Sequence, residues 1–234
     1  SSTNAMAYVR GNRADYDDWA SFGNKGWSYE DVLPYFKKSE KNEQIDNHFH
    51  GQDGELNVTF AQFFRPAFAA SFVAACGANG LPHNEDYNGA EQKGAGYFQF
   101  NIKNGKRHSA ATAFLKPAMK RPNLKVITKA LTKRILLKND RAVGVEFHTG
   151  KTSTEEVLAR KEVILSAGSF NSPQVLQLSG IGERTALEKL GIECKHALNG
   201  VGQNLQDHLF TGISSLATEQ IGTNHHLSPW NQVK

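Results

Sequence analysis

The spacing of apolar residues changes part-way along this chain, and the predicted elements change with it. Before about residue 120 the pattern is helical or irregular. Ser28 followed by Asp31 is a capping-box signature, and it predicts a helix running to about Glu40. Leu33 and Phe36 would face inward from that helix, and Lys37 and Lys38 outward. Pro66 to Ala78 reads as a small-residue apolar helix stopped near Gly77 and Gly80, and Arg107 to Met119 as another, with Pro117 late in it. The polar, glycine-containing stretch from Asn42 to Asn57 reads as a loop, and Asp86-Tyr87-Asn88-Gly89 as a turn. The first eleven residues read as a loop or a helix start.

A period of two then takes over. Leu124–Thr128, Leu131–Leu137, Ala142–Phe147 and Glu156–Ser166 predict successive strands, with turn chemistry at Asn139-Asp140 between two of them. The last of these contains Val163-Ile164-Leu165, a run apolar enough to be buried on both faces of a sheet. Residues 183–190 predict a short helix, and there is no internal repeat.

Composition narrows the class. The chain has 234 residues, 39% hydrophobic and 21% charged, which excludes a disordered polymer and allows one or two domains. The formal charge is +4, with bases and acids interspersed, so a solvated basic face is expected rather than a nucleic-acid surface. No apolar run is long enough for a membrane-spanning helix, although association with a membrane surface stays open. Two cysteines and no CxxC give no disulfide framework, which favours a cytoplasmic or otherwise disulfide-independent setting, with Cys76 read as a small buried thiol; the localisation is unknown, with a cytoplasmic or peripheral-membrane setting favoured. His48 and His50 flank Phe49 but lack a third ligand nearby, and His225-His226 are adjacent, which suits one metal poorly. His48 and His50 read as exposed loop histidines, and no metal site is expected at either pair. Asn57-Val58-Thr59 fits a glycosylation sequon.

The most informative stretch is Ala167-Gly168-Ser169-Phe170-Asn171-Ser172-Pro173-Gln174, continuing to Gly182. It follows the apolar run Glu162–Ser166 and precedes a short helix whose entry is marked by Ser172-Pro173. A strand, a small-residue turn and a helix N-terminus give backbone N–H groups room to meet an anionic ligand. This string closely resembles the second signature of the glucose-methanol-choline (GMC) oxidoreductases. Ser1–Gly11 resembles the family's first signature. Asp15–Ala20, Gly26–Phe36, Gly105–Ala111 and Gly200–His208 are similar to further family segments, in family order. Within the family, the pattern is nearest to bacterial choline and alcohol dehydrogenase-like members.

The resemblance implies an α/β fold: a partial FAD/NAD(P)-binding Rossmann-like domain with a β-meander, spanning 1–212. Residues 213–234 would be the start of an α+β substrate domain or an unmatched tail. It implies FAD and the oxidation of an alcohol or choline to an aldehyde or ketone, by hydride transfer to the flavin. The electron acceptor would be oxygen, a quinone or another oxidant. Ser1, Ser2, Asn4, Ala5, Met6 and Ala7 would form the flavin-lining loop. Thr3 stands where some members carry a histidine bonded to FAD, so a non-covalent flavin is implied. Thr132 would contact adenine through its backbone, Ala167 and Gly168 would pass close to the dinucleotide, and Asp207 and His208 would support the site.

No strand–GxGxxG–helix is present, since Gly94-Ala95-Gly96 and Gly200-Val201-Gly202 lack the third glycine at the right spacing. Members carry that motif upstream of the matched segment and their catalytic histidine downstream of it. An internal fragment, inactive alone and with no catalytic residue of its own, is the expectation. An FAD-containing lyase of the same fold and a non-catalytic remnant are the alternatives.

Overall fold

The computed structural model describes residues 4–61, 66–150 and 153–212. They belong to two compact units, Ser1–Lys125 and Val126–Ser214.

In the first unit, helix α1 (Arg13–Ser21) starts at a capping box between Asn12 and Asp15, and helix α2 (Tyr29–Ser39) at the predicted box between Ser28 and Asp31. Asn12 is therefore the first helix cap among the described residues. The inner faces of the two helices meet at Tyr16, Tyr29, Val32 and Leu33, with Phe36 and Phe49 packed against them. Tyr16 also makes edge-on ring contacts with Trp19 and Phe36.

Strand β1 (Glu40–Asn42) continues from α2 and pairs in parallel with β2 (Leu56–Phe60). Helix α3 (Ala67–Ala78) follows; none of its described side chains is fully buried, and Cys76 is half-buried rather than buried as expected. Strand β3 (Gln99–Phe100) adds antiparallel to β2. A hairpin of β4 (Ile102–Lys103) and β5 (Lys106–Arg107) turns at Asn104-Gly105, both with positive φ. That hairpin claims Arg107, so the helix expected from Arg107 begins later, as a π-helical turn over Ala111–Leu115 that passes into α4 (Lys116–Ala118).

The second unit holds the expected meander. Strands β6 (Ala130–Lys138), β7 (Arg141–Thr149) and β8 (Ser153–Leu158) are antiparallel neighbours. Asn139 and Asp140 both take positive φ between β6 and β7, which suits their right-handed twist. Leu124–Thr128 is not a strand: β6 starts at Ala130, and among the described residues no strand pairs with the earlier ones.

The strand expected to reach Ser166 stops at Leu158. The β7 partner begins at Arg141, so the ladder runs out soon after Gly144 meets Leu158. Ile164, expected inside a sheet, is 78% exposed. Among the described residues no neighbouring strand reaches it, and an apolar run is buried only where another element covers it.

Helix α5 (Gly168–Leu178) begins four residues before the expected Ser172 entry, so Pro173 lies inside the helix and leaves it one N–H short of the intrahelical ladder. It packs on β6, where Ser179 Oγ accepts from Ile135 N at 2.8 Å. Strand β9 (Ile181–Gly182), the predicted helix as α6 (Arg184–Lys189) and strand β10 (His196–Ala197) complete the unit, with β9 and β10 parallel. No helix among the described residues is long and apolar enough to cross a membrane.

Candidate functional site

The residues singled out from the sequence fall in both units. Ser1, Ser2 and Thr3 lie outside the described residues, as does the His225-His226 pair. Asn4, Ala5 and Ala7 are exposed, and Met6 is half-buried with φ 70°. This loop is clamped along its length. Arg107 Nη1 donates to Asn4 O at 3.0 Å, Asn101 N to Met6 O at 2.9 Å, and Tyr8 N to Gln99 O at 2.8 Å. Ala7 also bridges to Phe100 in antiparallel fashion. The loop thus has fixed backbone geometry while its side chains stay open.

In the second unit Thr132 is exposed on β6, opposite Phe147 on β7, beside a register irregularity that follows it. Ala167 is the N-cap of α5 but supplies no capping side chain. Its own N–H is held by Ser172 Oγ at 3.0 Å, and Gly168 takes φ +91°, a value that L side chains rarely adopt. A Cβ built on Gly168 would meet nothing within 4 Å, so the backbone there is open to a ligand. Beside it lies an open cleft of about 660 Å³, lined by residues 169–174 and by Gln177, Val201 and Leu205 among others. No charged side chain lines this cleft among the described residues. An anion bound there would meet backbone N–H groups and the α5 dipole rather than a charged side chain. Asp207 and His208 follow the cleft but do not line it; Asp207 Oδ1 accepts from His208 N at 2.7 Å and both are exposed.

The main feature that sequence reasoning missed is a buried ionic cluster in the first unit. His50 was expected in an exposed loop, yet its side chain is fully buried between two carboxylates, while His48 is exposed as expected. His50 Nδ1 lies 2.8 Å from Glu40 Oε1, and His50 Nε2 lies 3.0 Å from Asp86. Arg10 Nη2 closes on the other Glu40 oxygen, and Arg10 Nη1 donates to Phe49 O at 2.8 Å. The Asn42 amide shows which groups hold protons. Its Oδ1 accepts from Ile45 N at 2.9 Å and from Gln99 Nε2 at 2.9 Å, so its nitrogen must face Glu40 and Gln99. Both amide hydrogens are then used, and His50 must donate from both ring nitrogens as an imidazolium. Burial opposes that charge, but the bonds to Asp86 and Glu40 outweigh it and raise the pKa to about 9. Burial likewise opposes ionisation of Glu40 and Asp86, and the His50 contact holds both below their usual range.

The signal for this cluster was present only indirectly. Gly51 and Gly54 sit where a Cβ would come within 1.9 Å of Lys37 O and 2.3 Å of Ser39 C. The polar stretch is therefore packed tightly onto the end of α2. The sequon is also corrected. Asn57 is buried, and its Nδ2 donates to Glu43 Oε1 and Ile102 O, so no glycan can reach it in the folded chain. His108 is buried as well, with Nδ1 accepting from Asn57 N at 3.1 Å; burial and Lys103 lower its pKa, and it is neutral. Among the described residues no group of His, Cys, Asp and Glu is arranged to hold a metal ion.

An uncapped helix entry with a glycine at positive φ, reached from the meander through an irregular segment, is a backbone arrangement that dinucleotide-binding α/β proteins use. The particular member of that class follows from comparison with known proteins. The GMC oxidoreductase model matches residues 1–210, and the chain belongs to that family. It is 45% identical over all 234 residues to an oxygen-dependent choline dehydrogenase of Brucella anthropi, and 44% identical over 230 residues to one of Sinorhizobium medicae. It spans 42% and 41% of the length of these two curated relatives, and 100% and 98% of this chain is covered. Among solved structures it matches an FAD-dependent oxidoreductase from Chaetomium thermophilum with TM-score 0.81 and 35% identity, covering 87% of this chain and 37% of that one. It also matches pyridoxine 4-oxidase from Mesorbium loti with TM-score 0.76 and 31% identity, covering 83% of this chain and 38% of that one. These likenesses support the predicted partial FAD-binding α/β fold.

The residues present fit the FAD that this family implies. The accessible backbone at Gly168, the uncapped α5 N-terminus and a cleft without carboxylates suit a dinucleotide phosphate. The clamped loop from Asn4 to Ala7 suits a planar ring that needs fixed backbone donors.

Proposed function

We propose that this chain builds part of the cofactor-binding body of an FAD-dependent oxidoreductase acting on the CH–OH group of a small alcohol, choline or a close analogue. The identity of 45% across the full chain with a choline dehydrogenase carries this reading. Bound FAD would supply a hydride acceptor, and the alcohol would leave as an aldehyde or ketone.

This chain's residues would bind and orient. Ser1, Ser2, Asn4, Ala5, Met6 and Ala7 would line the flavin, where main-chain N–H groups would stabilise negative charge on the ring. Thr132 would offer its backbone to adenine, and Ala167 and Gly168 would run beside the dinucleotide. Asp207 and His208 would support the segment that follows the cleft. Thr3 has no imidazole to bond to the flavin, so FAD would be dissociable.

Neither buried histidine can take the alcohol proton. His50 is an ion-paired cation, and the free lone pair of His108 is occupied by Asn57 N. The histidine base of family members has no counterpart in either. Oxygen is the acceptor to test first, then a quinone, and the setting is cytoplasmic or at a membrane periphery.

The test uses the protein as its gene encodes it, with FAD, choline and a series of small alcohols. Peroxide release or dye reduction is followed, and acid precipitation shows whether flavin leaves the protein. Alcohol-dependent reduction with release of intact FAD supports the reading. A purified protein that binds no flavin, or holds flavin without reducing it under any alcohol, overturns it.

A further inference from the structure

We propose that Glu40, His50 and Asp86 act with Arg10 as positioning residues, setting the course of the Met6–Arg10 backbone and so of the loop that faces the flavin. The proposal rests on the functional reading above for the flavin's place, but its structural half stands on the hydrogen bonds alone.

Most bonds that hold this backbone lead back to the cluster. Arg10 N donates to Asn88 Oδ1 at 2.7 Å, and Asn88 Nδ2 donates to Tyr8 O at 2.9 Å. Asn88 is itself held by Asp86, whose Oδ1 accepts from Asn88 N at 3.0 Å. On the opposite side Tyr8 N is bound by Gln99 O, and the Gln99 side chain pairs reciprocally with Asn42. Asn42 is held in turn by Glu40. The same backbone is thus gripped through Asp86 from one side and Glu40 from the other, and His50 bridges the two carboxylates. Only Tyr8 and Val9 separate Arg10 from the loop Asn4–Ala7.

Charge makes the grip depend on one proton. The groups facing His50 are Glu40 from the junction of α2 and β1 and Asp86 from the turn, with the Asn42 amide alongside. Arg10 balances the second oxygen of Glu40, and Tyr8 and Tyr29 are the phenols that face Arg10. Two cations then meet two carboxylates. A neutral imidazole cannot donate to both carboxylates, so one of them is left facing a lone pair. The link between Asp86 and Glu40 then opens at one end.

The experiment compares the protein as encoded, with and without FAD, against His50→Gln and Asp86→Asn. Amide hydrogen exchange at Tyr8 and Asn101 reads the backbone, and visible circular dichroism reads the bound flavin. Near neutral pH both variants should exchange about tenfold faster or more at these amides, with β6–β7 unchanged and the flavin signal altered. In the unsubstituted protein the exchange at Tyr8 should rise with a midpoint near pH 9. In Asp86→Asn that midpoint should fall by about one pH unit, since one carboxylate partner is lost. A structural role without coupling to the loop would move thermal stability but neither midpoint nor flavin signal. Folded variants with unchanged exchange and dichroism overturn the proposal. If His50→Gln fails to fold, the unsubstituted protein and Asp86→Asn decide, and an exchange rate at Tyr8 without a transition near pH 9 overturns it. Failure of the unsubstituted protein to take up FAD removes the flavin half together with the functional reading, while the exchange arm still judges the backbone half.

Discussion

Replacing Glu40 with glutamine should cost about 3–5 kcal/mol of stability near pH 6, the range for removing one partner from a buried ion pair. Glutamine has nearly the same size, so the cost comes from donors and charge rather than from a cavity. In the native chain one Glu40 oxygen meets Arg10, and the other meets His50 Nδ1 at 2.8 Å and Asn42 Nδ2 at 2.9 Å. A glutamine amide turned either way sets its NH₂ against one of these sets of donors. The pH dependence separates this account from simple disruption. The folded pKa of His50 is raised from 6.5 to about 9, so its contribution is full below pH 6.5 and is lost as pH rises through 9. That contribution amounts to about 3 kcal/mol. Glu40 and Asp86 have depressed values, so their contributions are full above 4.5 and 3.8 and fade as pH falls further. In Glu40→Gln a neutral His50 is no longer disfavoured to the same degree. The gap between the two proteins should therefore narrow, by about 2 kcal/mol, on going from pH 6 to about pH 10. Urea unfolding followed by fluorescence of Trp19 and Trp27, next to the cluster's helices, measures it. A Glu40→Gln protein within about 1 kcal/mol of the parent near pH 6, or a gap that stays constant with pH, would refute the reasoning.

Other outcomes follow from sites of different physics. Gly51→Ala should destabilise by about 1–3 kcal/mol or more, because the new methyl lands on Lys37 O, as thermal unfolding will show. Gly77→Ala, in α3 with open space around it, should instead gain up to about 1 kcal/mol in the same assay. Gly168→Ala forces a side chain into positive φ at the α5 entry, at a cost of about 1–2 kcal/mol; a titration should show weaker FAD binding. Expressed in a secretory host, the chain should carry no glycan at Asn57, and intact-mass measurement of a fully occupied site would contradict the buried amide network.

Much of the framework was legible in the sequence because it depends on near neighbours. The capping box at Ser28, the Asn139-Asp140 turn and the strands β6 and β7 were read from local patterns, and each appears where expected. The family signatures likewise fix the type of cofactor, because a string such as Ala167–Gly182 ties glycine to turn and turn to helix over a few residues. What tertiary structure decided is which polar residues are buried and which apolar ones are not. His50, Glu40 and Asp86 lie 10 and 36 residues apart in sequence along the His50 contacts, and only the fold brings them within hydrogen-bonding distance. Their solvation, and hence their charge, depends on what surrounds them. Ile164 shows the converse: an apolar run is buried only where something covers it, and its own side chains cannot supply that cover. Periodicity and caps are properties of the chain; desolvation and pairing belong to the packed molecule.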